Sequence, residues 1–453
     1  MKLFEHQIEA LEKTKDFNRC AYYLDMGLGK TFVGSEKMLS FGTSGNLIVC
    51  QKSKIDDWIN HFKENYKDTD NQRFIIQLYN LTDKKQLEKF IKDVEQADEP
   101  NVIYDDWLDQ TYIEPSLDPC TYIGIINYDL VFRRKELLKL RNITLMLDES
   151  SLIQNEKAKR SKFILKLNAE NVVLLSGTPS SGKYENLWTQ IQLLGWDIKQ
   201  SVYNKQYINW EKLDVGGVPI WVVDKKEPYK NVERLKEKLR QHGAIFKKTE
   251  ECFDLPEQID IPIYVKPPSE YKTFKDNGIV TIDNDELVGN TSLTKVLYAR
   301  QICSQYNQNK LDAFEDLLES TNDRLIVFYN FIQEKEKLKE IIEKHERSIS
   351  EVNGQVKDLK NYEEQDNSVT LIQYQSGSMG LNLQKANKII YFSLTQSSDL
   401  YEQSKKRIHR IGQNQTCFYY LLLCKNSIED KGILPRLMMR KDFDDELFRE
   451  EIW

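Results

Sequence analysis

Short apolar runs rich in Val, Ile, Leu and Tyr alternate with longer amphipathic stretches from Cys20 to about Pro179, and again from about Lys310 onward. This rhythm restricts the fold more than any other feature. Strands that return in the same direction need crossovers long enough to be helices, which then cover both faces of a parallel sheet. The expected strands of the first stretch are Cys20–Leu24, Asn46–Cys50, Phe74–Tyr79, Tyr122–Ile126, Ile143–Leu147 and Val172–Leu175. Those of the second are Arg324–Tyr329, Ser348–Val352, Val369–Tyr374, Lys388–Phe392 and Cys417–Cys424. One core rarely organises 453 residues, so the fold class is α/β with two lobes, each a mainly parallel sheet flanked by helices.

The first lobe is expected over 1–255, a linker or helical segment over 256–309 and the second lobe over 310–453. Between Trp196 and Lys248 the rhythm gives way to aromatic and basic residues, with a hairpin around Val215–Asp224 turning at Gly216-Gly217. This reads as a small helical and hairpin insertion on the first lobe, at about 196–248. Pro256, Pro262 and Pro267-Pro268 punctuate the linker, because proline fixes φ and removes a donor.

With 40% hydrophobic and 30% charged residues and no low-complexity tract, the chain is expected to fold throughout. No apolar run approaches the roughly 18 to 20 residues that span a bilayer, and Met1–Ala10 lacks the layout of a secretory signal. A cytoplasmic protein with no membrane contact follows as the expectation. The seven cysteines are scattered with no Cys-x-x-Cys pair, which excludes a zinc ribbon and a dithiol redox motif. A net charge of -7 excludes a surface coated in positive charge, so any nucleic-acid contact must be a local basic lining.

Leu24-Asp25-Met26-Gly27-Leu28-Gly29-Lys30-Thr31 follows an apolar strand and opens a helical pattern, the context a phosphate loop requires. Backbone amides at Gly27, Leu28 and Gly29 can curl around a triphosphate, Lys30 can reach its β and γ phosphates, and the Thr31 hydroxyl can bind Mg²⁺. Leu24 stands where the general pattern has its first glycine. In Leu145-Met146-Leu147-Asp148-Glu149-Ser150-Ser151 an apolar strand ends in two carboxylates. Asp148 is the candidate to hold Mg²⁺ through water, and Glu149 the general base for the attacking water. ATP and Mg²⁺ are therefore the expected cofactors.

Val173-Leu174-Leu175-Ser176-Gly177-Thr178-Pro179, followed by Glu185-Asn186-Leu187-Trp188, resembles the third motif of the Swi/Snf-type DNA translocases of helicase superfamily two. Gln403-Ser404-Lys405-Lys406-Arg407-Ile408-His409-Arg410-Ile411-Gly412-Gln413 is similar to that family's sixth motif, and Gly377-Ser378-Met379-Gly380-Leu381-Asn382-Leu383 to its fifth. Phe4, His6 and Gln7 resemble its adenine-reading element, and Leu47–Cys50 with Trp58 its motif Ia. The matches run from Phe4 to Glu429 in the family's order.

The resemblance implies two RecA-like lobes. It casts Ser176, Thr178 and Gln403 as coupling residues, Gly380 as nucleotide-contacting, and Arg407 and Arg410, placed on one helix face by their spacing, as arginine fingers. It also implies tracking on double-stranded DNA. Lys52, Lys54, Asn127, Tyr128, Asn330, Gly377 and Ser378 are the candidate contacts to the DNA backbone. Ser151 occupies the position where many relatives carry histidine, which puts the strength of coupling in question. A strand-separating DNA or RNA helicase, or an ATP-gated nucleic-acid-binding protein without productive translocation, would use the same residues. Size and composition suggest a compact monomeric motor from a bacterium or its virus.

Overall fold

The apolar runs of the first half pair side by side as parallel strands. In the computed structural model, which describes residues 3–66, 75–98, 101–105, 110–114, 120–377 and 381–448, the chain divides into one unit running to Cys252 and a second from Phe253 to Phe443. The sheet of the first unit is built from β1 (Arg19–Leu24), β2 (Gly45–Cys50), β3 (Ile75–Asn80), β4 (Cys120–Asn127), β5 (Ile143–Asp148), β6 (Ala169–Ser176) and β7 (Ala244–Lys247). Their order is β7-β1-β6-β5-β2-β4-β3, and every neighbouring pair is parallel. All six residues of β2 are buried, as are those of β1 after Arg19. That burial matches a sheet covered on both faces, whose strands read as continuous apolar runs.

Among the helices that matter here are α1 (Glu5–Lys13), α2 (Lys30–Ser40), α3 (Ile55–Asn65), α4 (Trp188–Leu193) and α5 (Val232–Gln241). The expected hairpin forms from Trp210–Val215 and Val218–Val223. Its two turn residues, Gly216 and Gly217, have φ of 63° and 81°, the left-handed pair that a two-residue hairpin turn needs. α5 buries Leu235 and Leu239. The basic stretch after it does not end in insertion: Ala244–Lys247 pairs with β1, Ala21 opposite Ala244, as the edge of the main sheet.

The second unit holds β8 (Gln258–Val265), β9 (Leu325–Tyr329), β10 (Ile349–Val352), β11 (Lys357–Asp358), β12 (Val369–Gln373), β13 (Lys388–Tyr391) and β14 (Cys417–Cys424). Their order is β8-β14-β13-β9-β12-β10-β11, parallel except for β10 with β11. The segment expected as a linker thus contributes a full strand. Pro262 sits inside β8 opposite Leu421, tolerated because β8 is an edge strand whose outer side needs no donor. The rest of 256–309 folds as helices Ser269–Asn277 and Ser292–Cys303 around a hairpin, on a small core of Phe274, Val280, Leu287, Ala299 and Ile302. Among the described residues no helix is long and apolar enough to cross a membrane. All seven cysteines are free, and five of them are buried.

Candidate active site

Strand order decides which loops meet. β6 lies between β1 and β5, with Tyr23 opposite Ser176 and Asp148 opposite Leu175. The ends of β1, β6 and β5 therefore open on one edge of the sheet, where open parallel sheets gather their chemistry. After β1 the chain turns through Gly27 (φ 89°) and Gly29 (φ 73°) into α2. The Lys30 ammonium folds over this loop and donates to the carbonyls of Leu24 at 2.9 Å and Asp25 at 3.3 Å. Gly177, in the turn after β6, faces it: a Cβ there would lie 3.4 Å from Lys30 Nζ and 3.6 Å from the Leu24 carbonyl. Close approach is what a glycine permits at this point.

Gln7 packs against the loop at Leu28 and Gly29. It is 2% exposed. Its carbonyl accepts from the Phe4 amide at 2.9 Å and its amide donates to the Leu28 carbonyl at 3.1 Å, while the His6 ring also meets that carbonyl at 3.0 Å.

At the end of β5, Asp148 accepts a hydrogen bond at 2.9 Å from the indole of Trp58 on α3. Burial raises its carboxyl above the ordinary range, opposed by the Trp58 hydrogen bond and by the charges of Lys30 and Lys54. Glu149 follows in the left-handed region, with φ 55° and ψ 62°. A non-glycine residue costs of order 1–2 kcal/mol there. The turn frees Glu149 from the alternation of the strand, so that both carboxylates leave β5 at its end. The short turn Ser150–Ile153 comes next, with Ser151 partly exposed in it.

Ser176 is fully buried, and its hydroxyl accepts from the Thr178 amide at 3.2 Å. The Thr178 hydroxyl is buried without a hydrogen-bond partner among the described residues. Such an atom at a strand end suits an external acceptor.

Several sequence-based expectations change here. Tyr128, expected to face nucleic acid, is 2% exposed and donates to the Asp148 carbonyl at 2.9 Å. It braces the carboxylate turn. Asn127 is also buried, because this last residue of β4 caps a one-turn helix packed into the unit. Of the two lysines after β2, Lys52 is exposed while Lys54 pairs with Asp57 at 2.7 Å. Asn330 turns inward and donates to the Ser393 hydroxyl at 2.8 Å and the Leu394 carbonyl at 3.3 Å.

In the second unit, the helix Ser398–Lys405 carries Gln403, partly buried, but stops before both arginines. Arg407 and Arg410 lie in successive turns, not on one helix face. The Arg407 carbonyl is diverted to the Leu383 amide at 3.1 Å, and the His409 ring meets the Pro256 carbonyl at 2.9 Å. Arg407 is 2% exposed. Arg410 is half-buried and has no hydrogen-bond or ion-pair partner for its side chain among the described residues. Burial lowers its guanidinium from the usual value. Gly377 ends the short helix Tyr374–Gly377, and Ser378 and Gly380 lie outside the described residues.

The sequence reading missed how Trp58, Tyr128 and Gln190 hold the site. Gln190 carried a usable signal. It lies three residues after Leu187 and four before Leu194, on the apolar face of its helix, where an uncharged polar group must find partners.

The groups present fit a magnesium nucleotide. A glycine turn opens a helix, an ammonium lies over it, and beside it stand a hydroxyl at Thr31 and a carboxylate at Asp148 that Trp58 grips by Oδ2.

Comparison with known proteins places the chain in a family. Residues 12–309 match the model of the SNF2-related domain, and residues 309–412 that of the helicase conserved C-terminal domain. An uncharacterized ATP-dependent helicase of Mycoplasma genitalium is 24% identical over 314 residues, covering 63% of this chain and 29% of the relative. The ISWI chromatin-remodeling complex ATPase of Saccharomyces cerevisiae is 22% identical over 465 residues, covering 93% of this chain and 38% of the relative. The chain spans about a third of the length of these curated relatives. Among solved structures, the Sulfolobus solfataricus SWI2/SNF2 ATPase core in complex with dsDNA is 19% identical, with a TM-score of 0.41, covering 98% of this chain and 92% of that one. Since the first family model alone takes in well over half of the sequence, the chain belongs to the SNF2-related family.

Proposed function

We propose that this chain is a DNA-stimulated, Mg²⁺-dependent ATPase that translocates along double-stranded DNA. The observation that supports it most is the convergence of Lys30, Gly177, Asp148 and Glu149 at neighbouring strand ends of one sheet. Relatives named as ATP-dependent helicase and chromatin-remodeling ATPase support the same reaction.

In this reading Lys30 exchanges the carbonyls of Leu24 and Asp25 for phosphate oxygens, and the amides of Gly27–Gly29 hold the phosphates from the loop. Thr31 and Asp148 would hold the metal, which would neutralise phosphate charge. Glu149 accepts the proton of the attacking water. Gln7 supports the phosphate loop through the Leu28 carbonyl and is the adenine-reading residue of this proposal. Arg410 carries a guanidinium without a carboxylate partner among the described residues, the kind of group suited to the charge of a transferring phosphoryl group. The exposed turn at Lys52 and Ser53 faces the DNA backbone, and Ser176 and Thr178 relay the state of the site.

ATPase rates on duplex, single-stranded, forked and RNA ligands test the reading. Duplex DNA is expected to stimulate hydrolysis most, Lys30→Ala to abolish it, and the wild type to displace the third strand of a triplex. A wild-type rate indifferent to every nucleic acid would remove the motor. Strand separation on forks without triplex displacement would make the chain an unwinding helicase.

A further inference from the structure

One buried carboxamide joins three strand ends of the first unit. Gln190 on α4 has no exposed surface. Its amide donates to the Pro179 carbonyl at 2.7 Å, and its carbonyl accepts from the Ser150 hydroxyl at 2.7 Å and the Tyr23 hydroxyl at 3.1 Å. Each partner belongs to a different strand end. Tyr23 precedes Leu24, whose carbonyl holds Lys30. Ser150 follows Glu149, and Pro179 closes the turn that begins at Ser176.

The neighbouring Thr189 donates to the Ile153 carbonyl at 2.7 Å, so α4 grips the turn Ser150–Ile153 at both ends. A second tie runs beside the first. Gln154 donates to the Ser181 hydroxyl at 2.5 Å, and Asn186 donates to Gln154 Oε1 at 2.9 Å and to the Ser180 carbonyl at 3.3 Å.

Any buried glutamine needs partners. A glutamine that only filled the core could take them from its own helix. This one takes all three from strand ends of the candidate site, and the parallel tie links the turn after β5 to the loop after β6 again. We infer that Gln190 is a positioning residue that keeps the left-handed Glu149 turn in register with the loop after β6, so that a displacement of either is carried to the other. The inference rests on the ATPase reading above. It also relocates the question raised by Ser151, because the link to the loop after β6 leaves from Ser150, one residue earlier.

The test uses the full chain with Ser150→Ala, which deletes one bond and leaves Gln190 its other two partners, alongside Gln190→Leu. Four quantities are measured: equilibrium binding of a fluorescent ADP analogue, kcat and KM of the DNA-stimulated ATPase, the change in duplex affinity caused by a non-hydrolysable ATP analogue, and the thermal midpoint. For Ser150→Ala, nucleotide affinity, KM and midpoint are expected to stay within about twofold or a few degrees. Its kcat is expected to fall about tenfold, and the nucleotide-dependent change in DNA affinity to shrink. Ser150→Thr, which restores a hydroxyl, should recover both. Gln190→Leu should give the larger loss in the same two quantities.

Wild-type kcat and wild-type nucleotide dependence in Ser150→Ala would overturn the inference alone. So would a loss of kcat matched by equal losses of nucleotide affinity and midpoint, which marks a packing role. A wild-type chain that hydrolyses no ATP would overturn the ATPase reading, and this inference with it.

Discussion

Two arginines stand three positions apart at the end of the sixth-motif segment, and their surroundings separate their roles. Arg407 is 2% exposed and reaches the Leu381 carbonyl at 3.4 Å, whereas Arg410 keeps a half-buried guanidinium with no partner among the described residues. Truncating a filled buried position leaves a cavity, so Arg407→Ala should cost roughly 2–4 kcal/mol of stability. Arg410→Ala should leave stability within about 0.5 kcal/mol and lower DNA-stimulated kcat roughly 10³-fold. Urea denaturation and steady-state ATPase assays on the two variants check this. Equal stability losses in both would remove the distinction. Glu149 poses the converse case, a residue whose strained φ of 55° is maintained by its surroundings. Tyr128 braces the turn from one side and Gln190 from the other.

Between α2 and α3, His61 illustrates how elements are locked together and at what pH they loosen. Its ring meets the Ser35 hydroxyl at 2.9 Å, and Ser35 donates its only proton to the Thr31 carbonyl at 2.8 Å. His61 Nε2 is therefore the donor of the pair. Phe32, Trp58, Phe62 and Tyr66 surround the ring edge-on, and this burial lowers its pKa to about 4. The unfolded chain takes up a proton near pH 6.5 that the folded chain refuses until about pH 4. Stability from this group is thus present above pH 6.5 and lost as pH falls through that window, by roughly 3 kcal/mol in full. Urea midpoints followed from pH 7 to 4.5 should fall more steeply for the wild type than for His61→Gln. Parallel curves would place the acid sensitivity elsewhere.

At this same scale the βα rhythm was legible in the sequence. All eleven expected strands form, with ends shifted by three residues at most, though Phe74 lies outside the described residues. β7 escaped notice because four residues that end in Lys247, with Lys248 next, carry little pattern. β8 escaped because Pro262 reads as a breaker, although Ile259, Ile261, Ile263 and Val265 alternate as a strand should. The chemistry of Lys30, Asp148 and Glu149 was legible because local order alone places each at a strand end. The inward turns of Tyr128, Asn127 and Asn330 were not, since burial is decided by elements distant in sequence.

For the whole molecule, a net charge of -7 gives no general attraction to DNA, so binding must depend on a few local cations. Each phosphate contact contributes about one to the slope of log affinity against log salt. Lys52→Ala should therefore weaken duplex binding about equally on all sequences and reduce that slope by about one. Fluorescence anisotropy titrations from about 50 to 200 mM salt measure it, and an unchanged slope would move the track away from this turn.

The position of β1 between β6 and β7 has a consequence for biosynthesis. Its two neighbours in the sheet come from residues 169–176 and 244–247, some 150 and 220 residues downstream. Loop closure over such distances is slow. The strand that launches the phosphate loop thus waits, apolar, without its first neighbour until Ser176 is made and without its second until Lys247. A ribosome stalled before Lys247 would carry a nascent chain with the Lys30 loop translated but no finished sheet to hold it, exposed in the meantime to chaperones and to other unpaired strands.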